Sequence, residues 1–286
     1  MLSDRSSGYE ALCEEEAWPL SRLYHQHSKL SDRKQEEFEE VIAAYSQDEE
    51  AIRRSSRASK PYPTKRKIGL PRAGRTFRGG PFRGGRLVDL LRSRRTRRGQ
   101  FSPRPMTVKQ WGRLFEMACG LTGQVAHPNF PDIVQDLRAW PSGGAMYPIE
   151  VYLAALGGNE LEPAWYHYQV ASHELARLDA AALDSRPEGQ PLQRLVFADG
   201  LWENAGGLLV LTGLFARTQE KYGERGYRFV LLDAGHLAQN ILLACEDLGL
   251  AAIPLGGFDD DGLARSLGLD ARKEAPVYTI LVGNRK

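Results

Sequence analysis

Cysteine is scarce in this chain of 286 residues: Cys13, Cys119 and Cys245 stand far apart, with no Cys-x-x-Cys pair and no Cys/His cluster. Spacing of this kind argues against a disulfide framework or a zinc site, and a reducing cytoplasm is the expected compartment. Long apolar runs are missing too: runs such as Leu208 to Leu211 fall well short of the roughly 18 to 20 residues a membrane helix needs. Met1 to Glu10 lacks the apolar centre of a signal peptide. Neither a phosphate loop ending in Gly-Lys-Ser/Thr nor a GxGxxG fingerprint occurs, so two common nucleotide cradles are excluded. Acids nearly vanish between Arg53 and Arg104, where Asp89 stands alone among many basic residues. No internal repeat interrupts the chain.

What is present has the balance of a globular protein, 42% hydrophobic and 26% charged residues with a net charge of +2, which is not that of a general polyanion binder. The length suits one large domain with an extension. Residues 1–85 read as an N-terminal helical extension and a basic Gly/Pro/Arg-rich linker, and residues 86–286 as the main domain. In the extension, Ser31 caps a helix expected over 31–54, with Phe38, Val41, Ile42 and Tyr45 at helical spacing. Ser55 to Gly85 has no periodicity and reads as a surface linker.

In the main domain, Leu87 to Arg95 reads as a helix. Thr107 caps another that carries Trp111, Leu114, Phe115 and Ala118 and ends at Gly120. Strands are expected over Ile149 to Leu156, Trp165 to Tyr168 and Leu208 to Phe215. A long helix runs from about Gly226 to Leu248, with Gly249 where a left-handed residue is wanted. A strand toward Pro254, a helix over Asp260 to Leu267 and a last strand over Val277 to Val282 complete an interleaved α/β or α+β pattern.

Three segments carry candidate chemistry. Arg94-Arg95-Thr96-Arg97-Arg98 reads as a solvated basic face or as an anion site, because guanidinium forks and a hydroxyl suit a phosphate. Pro141-Ser142-Gly143-Gly144-Ala145 reads as a tight turn, or as a place where main chain approaches a flat ligand. Pro254-Leu255-Gly256-Gly257-Phe258, directly after a strand, could present backbone amides to an electron-rich ring atom. Asp259-Asp260-Asp261 is explained by helix capping and the helix dipole, and no metal is expected. His236 reads as an interfacial histidine.

Together with Ala234-Gly235-His236-Leu237-Ala238-Gln239-Asn240, the spacing of these segments resembles the nitroreductase superfamily over about Leu87 to Gly283. Trp165-Tyr166-His167-Tyr168 and Tyr24-His25-Gln26-His27-Ser28-Lys29 are similar to segments of its SagB-type branch, the azoline dehydrogenases. The resemblance implies an α+β fold with a mainly antiparallel central sheet flanked by helices, and a homodimer with FMN at its interface. Arg94, Arg95, Thr96 and Arg98 would hold the phosphate and ribityl end, with Arg285 as a further basic candidate. Pro141, Ser142, Gly143 and Gly144 would line the ring from the second subunit, while Leu255, Gly256 and Gly257 would stand near its N5. Lys221-Tyr222, otherwise two loop residues before a helix, would support catalysis, with Lys221 as the base that faces the flavin across the substrate.

The resemblance thus implies oxidation of a peptide-borne or carrier-bound thiazoline or oxazoline to the azole, with oxygen as electron acceptor and a cyclodehydratase as a partner. A nicotinamide-dependent nitro or quinone reductase is the enzymatic alternative. RNA binding by Arg72 to Arg86, with its Arg-Gly-Gly steps, is the non-enzymatic one.

Overall fold

In a computed structural model of the chain, residues 20–48, 85–127, 130–158, 160–178 and 192–286 are described. The expected linker up to residue 84 and the end of the first expected helix, 49–54, lie outside them. Two helices precede that gap, α1 (Leu20–Ser28) and α2 (Asp32–Gln47). After it come α3 (Gly85–Ser93), α4 (Val108–Cys119), and a hairpin of β1 (Leu121–His127) and β2 (Phe130–Arg138). The main sheet begins with β3 (Ile149–Ala155), β4 (Ala164–Gln169) and β5 (Glu174–Arg177), followed by α5 (Leu192–Leu195) and β6 (Gly207–Leu214). Then follow α6 (Phe215–Tyr222), α7 (Arg225–Asp247), β7 (Leu250–Leu255), α8 (Asp260–Leu267) and β8 (Glu274–Asn284).

The sheet has six strands in the order β5-β4-β3-β6-β8-β7, and every neighbouring pair is antiparallel. This is the α+β arrangement expected. Its middle strands β3 and β6 are almost wholly buried, because helices cover both faces. One face packs α4 and α7 through Trp111, Phe115, Val230, Leu237 and Ile241 against Val151, Leu153 and Leu209. The other packs α5 and α8 through Leu195, Leu263 and Leu267 against Ala154, Leu208 and Leu281.

Local chemistry explains the boundaries. Thr107 and Gln110 form a reciprocal capping box that satisfies free N–H groups at the start of α4. Gly249, with φ +69°, follows α7 in the left-handed conformation that a side chain resists. Asp259 caps α8 by accepting from Gly262 N–H at 3.0 Å.

Three expectations need correction. The helix α3 ends at Ser93, so Arg94 and Arg95 stand beyond it, where Arg95 donates to the carbonyls of Arg92 and Arg94, each at 2.8 Å. Lys221 and Tyr222 form the last turn of α6 rather than a loop, and Gly223, at φ +54°, stops that helix. The β1–β2 hairpin, α1 and β5 were not expected at all.

Candidate active site

The helix α7 organises the expected site residues, and it separates them into two groups. At its C-terminal end, Glu246 accepts from Arg97 Nη2 at 3.0 and 3.1 Å and lies 3.7 Å from Arg285 Nη1. The buried carboxylate therefore anchors the segment of Arg94, Arg95, Thr96 and Arg98, and Arg97 N–H also donates to Ala252 of β7. Arg95, Thr96 and Arg98 remain exposed, so the donors of Thr96 and Arg98, and those of Arg95 other than the Nη1 already spent on carbonyls, can meet an anion. Leu255 ends β7 and Gly256 and Gly257 follow it, three to five residues past Ala252, or about 10 to 17 Å along an extended chain. Gly256 is exposed, and a Cβ there would meet nothing within 4 Å.

At the N-terminal half of α7 the turn Pro141-Ser142-Gly143-Gly144 meets Lys221 and Tyr222 of the same chain. A Cβ at Gly144 would collide with Tyr222 Oη and come within 2.7 Å of Lys221 Nζ. The two head groups thus converge above one glycine, whose φ of +61° also favours the absence of a side chain. Phe229 of α7 supports this arrangement: its ring meets Tyr222 edge to face at 4.9 Å, and a Cβ on Gly143 would lie 3.5 Å from it.

The turn is strained. Ala145 and Tyr147 also have positive φ, +52° and +45°, conformations that cost about 1 to 3 kcal/mol each and need external support. Gln135 donates to Ala145 O at 2.6 Å, Arg217 donates to Tyr147 O at 2.7 Å, and Tyr147 N–H donates to Ser142 Oγ at 2.9 Å. The Ser142 hydroxyl in turn binds the carboxylate of Asp233, which also accepts from the Gly143 backbone. Ser142 is therefore committed to holding the turn, which leaves it less free toward a ligand than the sequence suggested. Burial pushes the Asp233 carboxyl above its ordinary range against those hydrogen bonds and the neighbouring His236, and its Oδ2 has no partner among the described residues.

Beneath the turn lies a network that the sequence did not announce. Glu150 joins His167 Nε2 at 2.9 Å and Arg217 Nη1 at 2.7 Å. Burial raises the Glu150 carboxyl, but these two partners outweigh it and hold the group below the usual range. Arg217 stands one helical turn before Lys221. Arg138, at the end of β2, lies over the rings of Trp140 and Tyr147, 5.3 and 5.1 Å from their centres. The only cue in the sequence was that His167 and Glu150 fall on strands; their pairing needs the register of β3 against β4.

Asp233 and Glu246 are thirteen residues apart on α7, about 20 Å at the helical rise. One chain therefore keeps its basic segment and its Ser-Gly-Gly turn at opposite ends of the same helix. Among the described residues no group of three metal-ligating side chains converges, and no helix is long and apolar enough to cross a membrane.

The family model described as the nitroreductase family matches residues 91–284. The chain belongs to the nitroreductase family. It is an oxidoreductase by that membership. A protein of Methanocaldococcus jannaschii named as a nitroreductase is 28% identical over 200 residues, covering 70% of this chain and 91% of its own. The microcin B17-processing protein McbC of Escherichia coli is 32% identical over 161 residues, 54% of this chain and 57% of that protein. The chain thus matches little more than half the length of McbC. The solved E. coli microcin synthetase McbBCD complex, with truncated pro-MccB17 bound, matches with a TM-score of 0.61 and 23% identity, covering 82% of this chain and 80% of that one. That structural likeness speaks to the fold.

Proposed function

We propose that this nitroreductase-family protein oxidises azoline rings in a modified precursor peptide, using FMN, within the SagB-type branch. The observation that carries the reading is the convergence of Lys221 Nζ and Tyr222 Oη over Gly144, which puts a candidate base at the mouth of the turn expected to face the flavin. The similarity to a microcin-processing protein supports a peptide as substrate. By analogy with the complex of that system, a cyclodehydratase is the partner that would supply the ring.

The residues fit FMN. Arg94, Arg95, Thr96, Arg98 and Arg285 offer a cluster of donors for the phosphate, and the open space at Gly256 leaves room for a flat ring beside main chain. When bound, the flavin supplies a two-electron acceptor. The spacing of about 20 Å along α7 between Asp233, which holds the Ser-Gly-Gly turn, and Glu246, which holds the basic segment, supports a homodimer in which each turn serves the other subunit's cofactor.

Conversion of an azoline to an azole removes a proton and a hydride from adjacent carbons. Lys221 takes the proton, and Tyr222 orients Lys221 or the ring. Arg217 of α6 ties the helix that carries Lys221 to the strained turn, through Tyr147 O, and to the start of β3, through Glu150.

The test is single-turnover flavin reduction by a thiazoline peptide without oxygen. Lys221→Ala should stay yellow and accept electrons from dithionite, yet bleach with peptide about 100-fold more slowly. Tyr222→Phe should lose less. A Lys221→Ala protein that bleaches at the wild-type rate would return the pair to a structural role and favour the reductase alternative.

A further inference from the structure

Arg138, at the end of β2 beside the Ser-Gly-Gly turn, is a cation whose contacts among the described residues are incomplete. Arg97 and Arg217 spend their charge on Glu246 and Glu150, at 3.0 and 2.7 Å. The guanidinium of Arg138 makes no hydrogen bond or ion pair with any described residue, and it is half-buried over the Trp140 and Tyr147 rings. Nearby Glu150 does not neutralise it, because that carboxylate is already held by His167 and Arg217. Burial works against the charge, yet a guanidinium stays protonated in proteins. A partly desolvated cation with its donors unspent is costly unless something outside the chain engages it.

The backbone N–H of Arg138 donates to Tyr147 Oη at 2.9 Å, so the residue is tied to the strained turn. Trp140, whose ring the guanidinium overlies, is fully buried, and its Nε1–H has no partner among the described residues. The half-buried guanidinium thus stands three residues before the Pro141 to Gly144 turn, on the chain that also brings Lys221 to Gly144. A guanidinium fork braced by two aromatic rings matches a carboxylate, which accepts two parallel hydrogen bonds.

We infer that Arg138 is a specificity residue that binds a carboxylate of the peptide substrate, either an acidic side chain near the ring or the peptide's C-terminus. This rests on the peptide-oxidase reading, and it adds a preference for substrate that the family membership does not carry.

The test uses the full chain and three short thiazoline peptides: one with glutamate beside the ring and an amidated end, one with glutamine and a free C-terminus, and one with glutamine and an amidated end. Binding is read by fluorescence anisotropy, so it does not depend on turnover, and FMN affinity is titrated separately. One carboxylate peptide should bind about 10-fold or more tightly than the uncharged one, the scale of one charge-assisted contact. Which of the two wins names the source. Arg138→Gln should erase that preference while leaving FMN affinity and the melting temperature near wild type, and Arg138→Lys should restore only part of it because the fork is lost. Equal binding of all three peptides to the wild type overturns the inference. Loss of FMN affinity in Arg138→Gln with the peptide preference intact would assign the guanidinium to the flavin and overturn it as well. Failure of the azoline reading alone would appear differently, as a kept carboxylate preference without flavin bleaching.

Discussion

At Gly144 a hydrogen atom stands where any other residue would place a methyl group between Lys221 and Tyr222. Gly144→Ala should therefore push both head groups aside and strain a backbone already at φ +61°. Because displacement of a reacting group by about 1 Å can cost on the order of 100-fold, turnover should fall by that order while the circular dichroism spectrum stays native. A variant of normal rate would mean that the pair is not held against this glycine. The need for a glycine here was legible, since a Gly-Gly step before Tyr-Pro signals a tight turn. The partners were not. Asp233, Arg138 and Arg217 are ordinary helix or strand residues in the sequence, and their roles arise from contacts across long separations, such as Arg217 with Tyr147.

Among the elements, α1 is one that the sequence pattern did not anticipate. It packs on the α6–α7 corner: Ser21 N–H donates to Glu224, and His25 meets the Phe215 ring at 5.0 Å and Tyr227 Oη at 3.3 Å. Lys29 pairs with Asp261 at 2.7 Å, and Leu30 N–H donates to Asp260 at 3.0 Å. Burial, with Lys29 beside it, lowers His25 from 6.5 to about 4, so the docked state prefers the neutral ring. That contribution is complete above pH 6.5 and is lost as pH falls toward 4. Burial raises Asp260 from 3.8 to about 6, so the docked state prefers its acid form, and that contribution is lost as pH rises through 6. The two nearly offset each other between pH 4 and 6. Asp260→Asn removes one of them, and α1 should then loosen on acidification below pH 6.5, seen as faster hydrogen exchange of residues 20–30; unchanged protection at pH 5 would refute this.

A second element, the stretch after α3, depends on one carboxylate. Glu246 and Arg97 have side-chain exposures of 8% and 15%, so Glu246→Gln leaves a buried cation without its partner. Breaking such a pair costs about 3 to 5 kcal/mol. In a domain of this size the melting temperature should drop by roughly 10 °C, as read by calorimetry. A fall of only a degree or two would show that Arg97 finds another acceptor, Ser93 O being within 3.4 Å.

For the molecule as a whole, the distance along α7 is the constraint that matters. If the basic segment and the Ser-Gly-Gly turn serve one cofactor, two chains must meet, and Leu231 and Leu232, 41% and 56% exposed on α7, give that meeting an apolar face. Light scattering should therefore find a dimer at micromolar concentration with one FMN per chain, and charged substitutions at Leu231 and Leu232 should release subunits and flavin together. A monomer that keeps its flavin would contradict the arrangement.

By itself the sequence determined the order and type of most elements. Capping boxes, glycine stops and apolar runs act over a few residues, so α4, α7, α8 and the inner strands β3 and β6 could be read within a residue or two. The spacing of four motifs was also enough for the family. Short edge strands and the β1–β2 hairpin escaped because exposed pairs carry little hydrophobic pattern, and their stability comes from cross-strand partners. Only the tertiary structure decided which charges are spent and which are free: Glu150 and Glu246 each neutralise an arginine far away in the chain, whereas Arg138 is left over. Pairing of this kind depends on strand register and helix packing, and neither is written in any local stretch of sequence.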